Sequence, residues 1–469
     1  MKSVAIIYGS YKTGLQKKAV EMLSEIVQNE TIEFPACFSV EENFDKEEFL
    51  CIYIGTKENN KFIAEKSDKI LTKPEEYAIL VKNDEIVIEG FDDSGVLYGC
   101  IDFYNRYIAP FVAIDTMGNK RVDLFKAETK LPEFFNQSAP KIKERGIWTW
   151  VHVIYDYKCF VENMAKLNMN CLILWNDFVP LNIDEVVSYA HDFGIKVILG
   201  YPWLWDNTDF SEINFEELDK ESDRIVSEYE QNYKNLNIDG IYFQSFTELY
   251  QEKIGDVLVA EAVCDFVNKT ADKIFGISPD LRLQFGLHAI SVKDRSEYIK
   301  KTDKRIEIIW EDCGSMPFNY EPDALSDFDE TKEFLKKITK LRGNDEKFGA
   351  VTKSFVRLDW MAFKHRKGPF VLGKSSENMH KNRMDRKKGM WRTVQAAWLK
   401  NGEKAREMIE LMAKETGGNT CITALIEDGM FEKQIFHSVA LYSEFLWDYS
   451  NKTDELSEQI ALRDYIKFA

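Results

Sequence analysis

The 469-residue chain has no apolar run long enough to cross a bilayer, and its first one, Val4–Tyr8, is too short for a signal-peptide core. This predicts a soluble, cytoplasmic protein without a membrane partner. No C-x-x-C pair occurs among its eight cysteines, which are scattered and often sit in apolar runs such as Cys171 in "CLILW". Buried free thiols fit that pattern better than a disulfide framework or a zinc site. None of the six histidines stands in H-E-x-x-H spacing, so no metal or other cofactor is expected. "IIYGSYKTG" lacks the glycine spacing of a dinucleotide fingerprint or a phosphate loop. A formal net charge of -18 argues against nucleic acid as the main partner. Tryptophan is absent before residue 148, although the chain holds ten.

What is present is a rhythm of strands and helices. Residues 1–135 alternate short strands and helices, with Asn83-Asp84 as a turn inside "YAILVKNDEIVIEGF", and predict a small α/β domain. From 136 to 375 near-continuous apolar strands alternate with helical segments, the signature of a parallel sheet covered by helices. Eight such units fit a (β/α)8 TIM barrel better than an open doubly wound sheet. "GPFVLG" (368–373) is the weakest of the eight strands. Residues 376–469 read as helical only, a C-terminal helical region packed on the barrel.

Barrel active sites lie at the C-terminal ends of the strands. The predicted ends carry Trp148, Trp150 and His152; Trp175 and Asn176; Trp203 and Trp205; Glu248; His288; Trp310, Glu311 and Asp312; and Arg357 and Trp360. Indole faces stack on the C–H faces of sugar rings, so a Trp-rich mouth with carboxylates points to carbohydrate; the alternative for each Trp is packing under a loop. Glycoside hydrolysis needs one carboxyl group to protonate the leaving oxygen and a second to activate water or attack carbon. Strands four and six are two apart in the barrel, so Glu248 and Glu311 are expected to face each other across its mouth, with Asp312 as an alternate or as an orienting group. A solvated loop residue or a helix cap is the other reading of Glu248. His152, Asn176, His288 and Arg357 are expected to hydrogen-bond substrate. Between Lys364 and Arg392 there are ten Lys or Arg and only two acids, Glu377 and Asp385. That cluster reads as a solvated helix face or a contact between subunits of a homo-oligomer, then as an attraction for an acidic substrate such as a uronic acid, and last as an RNA site, since no nucleic-acid motif accompanies it.

Ile86–Phe103, "IVIEGFDDSGVLYGCIDF", resembles the segment that closes the small domain in front of the barrels of α-glucuronidases and β-hexosaminidases. It has a strand, then G-x-D-x-x-G, then a helix. "KIKERGIWTW" resembles the entry to their first barrel strand. "DGIYFQSFTE" is similar to the fourth strand of α-glucuronidases, whose Ser-Glu pair supplies the general acid; that role falls on Glu248. The hexosaminidase Asp-Glu pair is missing, since Thr247 precedes Glu248, and Lys353 and Ser354 stand where a strand-seven Glu is expected. The resemblance implies a glycosidase cleaving a terminal sugar from an oligosaccharide. A non-catalytic sugar-binding barrel and a metal-dependent sugar-acid lyase or isomerase are the alternatives.

Overall fold

The computed structural model describes residues 3–461 except 11–12, 32–33, 115, 118–119, 123, 126–129, 205–212, 248–250, 289–293, 313–327, 342–346, 356–367 and 427–435. The N-terminal part is a six-stranded mixed sheet. Its strands are β1 (Ser3–Tyr8), β2 (Ala36–Ser39), β3 (Phe49–Gly55), β4 (Tyr77–Lys82), β5 (Glu85–Gly90) and, beyond a short hairpin β6 (Val112–Ile114) and β7 (Lys120–Val122), β8 (Phe134–Ser138). The spatial order is β2-β1-β3-β5-β4-β8, with β4 antiparallel to both its neighbours. Asn83 and Asp84 both have positive φ, 54° and 58°, the backbone of the tight hairpin turn expected between β4 and β5. Helices α1 (Gly14–Thr31), α2 (Lys61–Lys66) and α3 (Asp93–Asp102) complete this part. Asp92 caps α3 by accepting from Gly95 N at 2.8 Å.

Eight parallel strands then close a barrel: β9 (Glu144–Trp150), β10 (Cys171–Trp175), β11 (Lys196–Gly200), β12 (Gly240–Phe243), β15 (Leu283–His288), β16 (Ile306–Glu311), β17 (Phe348–Phe355) and β18 (Thr420–Ile426). A small hairpin, β13 (Lys253–Ile254) and β14 (Val257–Leu258), intervenes after β12. The helices of the outer ring are α4 (Tyr157–Lys166), α5 (Ile183–His191), α6 (Leu218–Asn232), α7 (Val259–Ile277), α8 (Ser296–Ile299), α9 (Phe328–Thr339), α10 (Glu377–Glu415) and α11 (Phe436–Trp447), followed by α12 (Thr453–Ala461). The (β/α)8 barrel behind a small N-terminal domain is as the sequence predicts. Among the described residues no helix is long and apolar enough to cross a membrane.

The eighth strand is not where the sequence reading put it. Gly368–Gly373 is irregular and is hydrogen-bonded to the segment after β10: Leu181 N donates to Phe370 O at 2.9 Å, and Asn182 exchanges bonds with Leu372 at 3.0 and 2.8 Å. Pro369 has no ladder donor there. The eighth strand is Thr420–Ile426, a fully buried run that begins after two glycines with positive φ, Gly417 and Gly418. The region 376–469 is therefore not helical only.

The two parts share one continuous apolar core. At their junction Trp447 packs 5.8 Å from Tyr77 and 5.4 Å from Tyr98, and its Nε1 donates to Ser138 Oγ at 2.8 Å. Arg145, at the start of β9, is buried beneath it and pairs with Glu75 at 2.8 Å.

Candidate active site

Strand alternation decides what faces the inside of the barrel. One apolar cluster fills it, including Trp148 and Trp150 of β9, Ile173 and Trp175 of β10, Tyr242 of β12, Ile309 of β16, Val351 of β17 and Leu425 of β18. At the C-terminal end the rings interlock. Trp148 stacks on Trp175 at 6.0 Å and meets Trp150 edge-on at 5.2 Å, and both Trp148 and Trp175 contact the edge of Tyr242, at 5.9 and 6.2 Å. These three tryptophans are buried, so they form a floor under the mouth rather than open walls.

Glu311 ends β16 on this inward face and is 6% exposed, which places a carboxylate at the edge of that aromatic floor. Gln244, just past β12, donates Nε2 to both of its oxygens, at 2.6 and 2.7 Å, and the Tyr242 hydroxyl donates to Oε1. Strand β15 lies between β12 and β16, and these side chains meet over it because residue 286 is glycine. Any Cβ at Gly286 would collide with Glu311 Oε1 and with the Tyr242 hydroxyl. His288 pairs with Glu311 in the β15–β16 register. Burial, and then the charge of Lys353, hold its imidazole down at about 4, so it is neutral at pH 7. Asp312 is buried and bridges β16 to β17: its N donates to Val351 O at 2.8 Å, and its Oδ2 lies 3.4 Å from Lys353 N.

The structure thus brings Trp148, Trp150, Trp175, His288 and Glu311 to one end of the barrel. It sends three expected site residues elsewhere. Trp310 falls between two inward-facing residues of β16, so it points out to Phe334 of α9. Trp203 stacks on Phe243 at 3.7 Å, also in the shell between strands and helices. Both are fully buried, which makes packing their role. Asn176 is buried and donates to the Tyr233 hydroxyl at 3.1 Å, tying the end of β10 to the residue after α6. His152 belongs to the turn Val151–Val153 directly after β9. Glu248, Trp205, Arg357 and Trp360 lie outside the described residues.

The sequence reading gives Gln244 a place at the end of the fourth strand but no role, and does not single out Tyr242. Their signal is parity: they flank Phe243, and both side chains reach the inward-facing Glu311.

The opposite end of the barrel is ionic. Glu144 receives Lys196 Nζ at 2.6 Å and Arg282 Nη2 at 2.7 Å, and Arg282 also reaches Glu307 at 2.7 Å. Burial pushes the Glu144 carboxyl up, but Arg282 and Lys196 outweigh it and hold it at about 2. Cys171 and Cys421 stand beside Glu144 within metal-ligand distance. Two cations already occupy the carboxylate oxygens, so this cluster is poorly suited to a metal ion. A cavity of about 1190 Å3 opens at this end between the small domain and the barrel, lined by residues such as Glu75, Asp92, Lys143, Asn170 and Asn419. It is remote from Glu311.

No protein-family profile matches the chain, and no curated protein matches it in sequence. Solved structures do. The chain resembles glycoside hydrolases in fold. It superposes on the β-N-acetylhexosaminidase from Bacteroides fragilis with a TM-score of 0.55 at 12% identity, covering 95% of this chain and 87% of that one. CpGH84B gives 0.56 at 12% identity, over 98% of this chain and 70% of the other. The 4-O-methyl-α-glucuronidase BtGH115A, specific for decorated arabinogalactans, gives 0.53 at 13% identity over 96% of this chain; the match spans 56% of the glucuronidase.

Proposed function

We propose that this chain is a glycoside hydrolase that removes a terminal sugar from an oligosaccharide, with catalysis confined to the barrel and residues 1–135 as a supporting domain. The observation that carries the reading is Glu311, a buried carboxylate at the C-terminal end of a barrel strand beside a floor of tryptophans. Gln244 and Tyr242 donate to it, so it is set up as an acceptor. That suits the base or nucleophile of glycoside hydrolysis rather than the proton donor. The donor's role goes to Glu248, which follows β12 in sequence. The resemblance of fold to several glycosidases supports the same chemistry. A uronic acid as the sugar released, and a place in polysaccharide breakdown, are the finer part of the proposal.

The test is a panel of chromogenic glycosides, uronides included, against the wild-type chain and the Glu311→Gln and Glu248→Gln variants. Turnover of at least one glycoside is expected, falling at least about a hundredfold in each variant, with unchanged circular dichroism. Full activity in Glu311→Gln removes the assignment.

A further inference from the structure

Helix α10 is 39 residues long, about 58 Å, far longer than a barrel of this size needs. Its two halves have different surroundings. From Trp391 onward one face is buried: Trp398 stacks on Phe355 at 5.3 Å and donates Nε1 to Ser354 O at 2.8 Å, at the C-terminal end of β17. The start of the helix is tied to a different place. Ser375 N donates to Tyr155 O at 2.9 Å and Lys374 bridges to Asp156, both just beyond β9, while Lys374 Nζ pairs at 2.8 Å with Glu185 in the first turn of α5, after β10 on the same end of the barrel. In the barrel order β17 and β9 flank β18. The stretch from Ser376 to Trp398, about 33 Å of helix, therefore runs along the rim of the mouth that holds Trp148, Trp150 and Glu311.

That rim is basic. Residues 381–392, "KNRMDRKKGMWR", hold six Lys or Arg and one acid, in a chain whose net charge is -18. The acid, Asp385, is paired with Lys388 at 2.6 Å, so it does not offset the rest. Lys381, Arg386 and Arg392 are exposed. Like charges this dense destabilise an isolated helix, and packing on the barrel does not call for Lys381, Arg386 and Arg392, which lie off its buried face.

We propose that this rim is a docking surface for an acidic saccharide, a chain of uronate residues that leads into the mouth. The inference rests on the glycosidase reading for the identity of the mouth and adds to it a surface outside the mouth that would hold an acidic chain. Charge complementarity selects a polyanion. A sugar chain is favoured over nucleic acid because Trp391, the one Phe, Trp or Tyr within 377–397, is buried, so none of these three ring types is exposed there to stack a base.

The experiment uses the full chain carrying Glu311→Gln, so that binding is read apart from turnover, with and without the added substitutions Lys381→Glu, Arg386→Glu and Arg392→Glu. Oligogalacturonate, a neutral cello-oligosaccharide and a single-stranded RNA of matched charge are titrated calorimetrically at about 0.05 M and about 0.2 M salt. Oligogalacturonate is expected to bind best, to weaken with salt, and to lose about tenfold or more in affinity with the charge reversals. The same three reversals in the otherwise wild-type chain should leave turnover of a small neutral glycoside unchanged. Equal binding of oligogalacturonate with and without the reversals overturns the proposal, as does tighter binding of the RNA. So does a rim that binds no polyanion but changes the oligomeric state on gel filtration when reversed. None of these outcomes touches the glycosidase reading, which stands or falls on turnover.

Discussion

The Tyr242 hydroxyl reaches Glu311 across an intervening strand, and Gly286 is the gap through which it does so. Neither partner can swing aside cheaply. The Tyr242 ring is held by Trp148 and Trp175, and the carboxylate is gripped by Gln244. Gly286→Ala should therefore displace both groups at once. It is expected to cost about 1–3 kcal/mol of stability in urea denaturation and most of the turnover. Tyr242→Phe removes one bond to a charged group, about 1.5–3 kcal/mol, but leaves the two from Gln244 and the position of the carboxylate, so it should cost less of the turnover than Gly286→Ala. A Gly286→Ala protein as stable and active as wild type would contradict this geometry.

What the sequence discloses of this arrangement is uneven, for physical reasons. Seven barrel strands are legible because a strand buried on both faces is a near-continuous apolar run. β18 is just such a run, "TCITALI", but it stands between two long helical patterns and was absorbed into them. Glu311 is legible as a carboxylate closing an apolar strand. Tyr242 and Gln244 are not, since their importance depends on Glu311 two strands away and on the missing side chain of Gly286. Trp203 and Trp310 mislead because a bulky ring at a strand end looks the same whichever face it takes. For Trp310, parity with the inward-facing Glu311 settles the face. The tight turn at Asn83-Asp84 is read correctly because it depends on local backbone preference alone.

His288 gives the stability a pH signature. Its folded value near 4 lies below the ordinary 6.5, so the unfolded chain takes up a proton at this site before the folded one does. The neutral form's contribution is fully present above about 6.5 and is lost as pH falls from there to about 4, at most about 3 kcal/mol and less for a partly exposed ring. Denaturation midpoints of wild type and His288→Gln, compared from pH 7 to pH 4, should show the steeper decline in wild type. Parallel curves would remove the assignment.

At the other end of the barrel Glu144 also loses its contribution in acid, but there it is the charged form that the fold favours. Its value near 2 lies below the ordinary 4.5, so its stabilising contribution is present above about 4.5 and is lost as pH falls toward 2. Arg282→Met leaves Glu144 and Glu307 buried without their shared guanidinium. A loss of about 3–5 kcal/mol is expected at pH 7, shrinking as Glu144 protonates in acid. Lys196→Met should cost less, because its side chain is 43% exposed. Equal losses for the two variants would mean that the burial difference does not govern the pair.

The location of the eighth strand is open to a direct comparison of two prolines. Ala424 lies within the β18 ladder, paired with Thr352 on one side and Ile147 on the other. Proline there removes a ladder donor and forces its ring against a neighbouring strand in a closed barrel, which has no free edge to absorb the defect. Ala424→Pro is expected to cost at least about 3 kcal/mol and to yield little folded protein. Val371 sits in the segment that the sequence alone suggested as a strand, but its side chain is 49% exposed and the backbone around it is irregular. Val371→Pro should change the melting temperature by only a degree or two, since neither a ladder bond nor core volume is lost. If Val371→Pro proved the more damaging of the two, residues 368–373 rather than 420–426 would have to close the barrel.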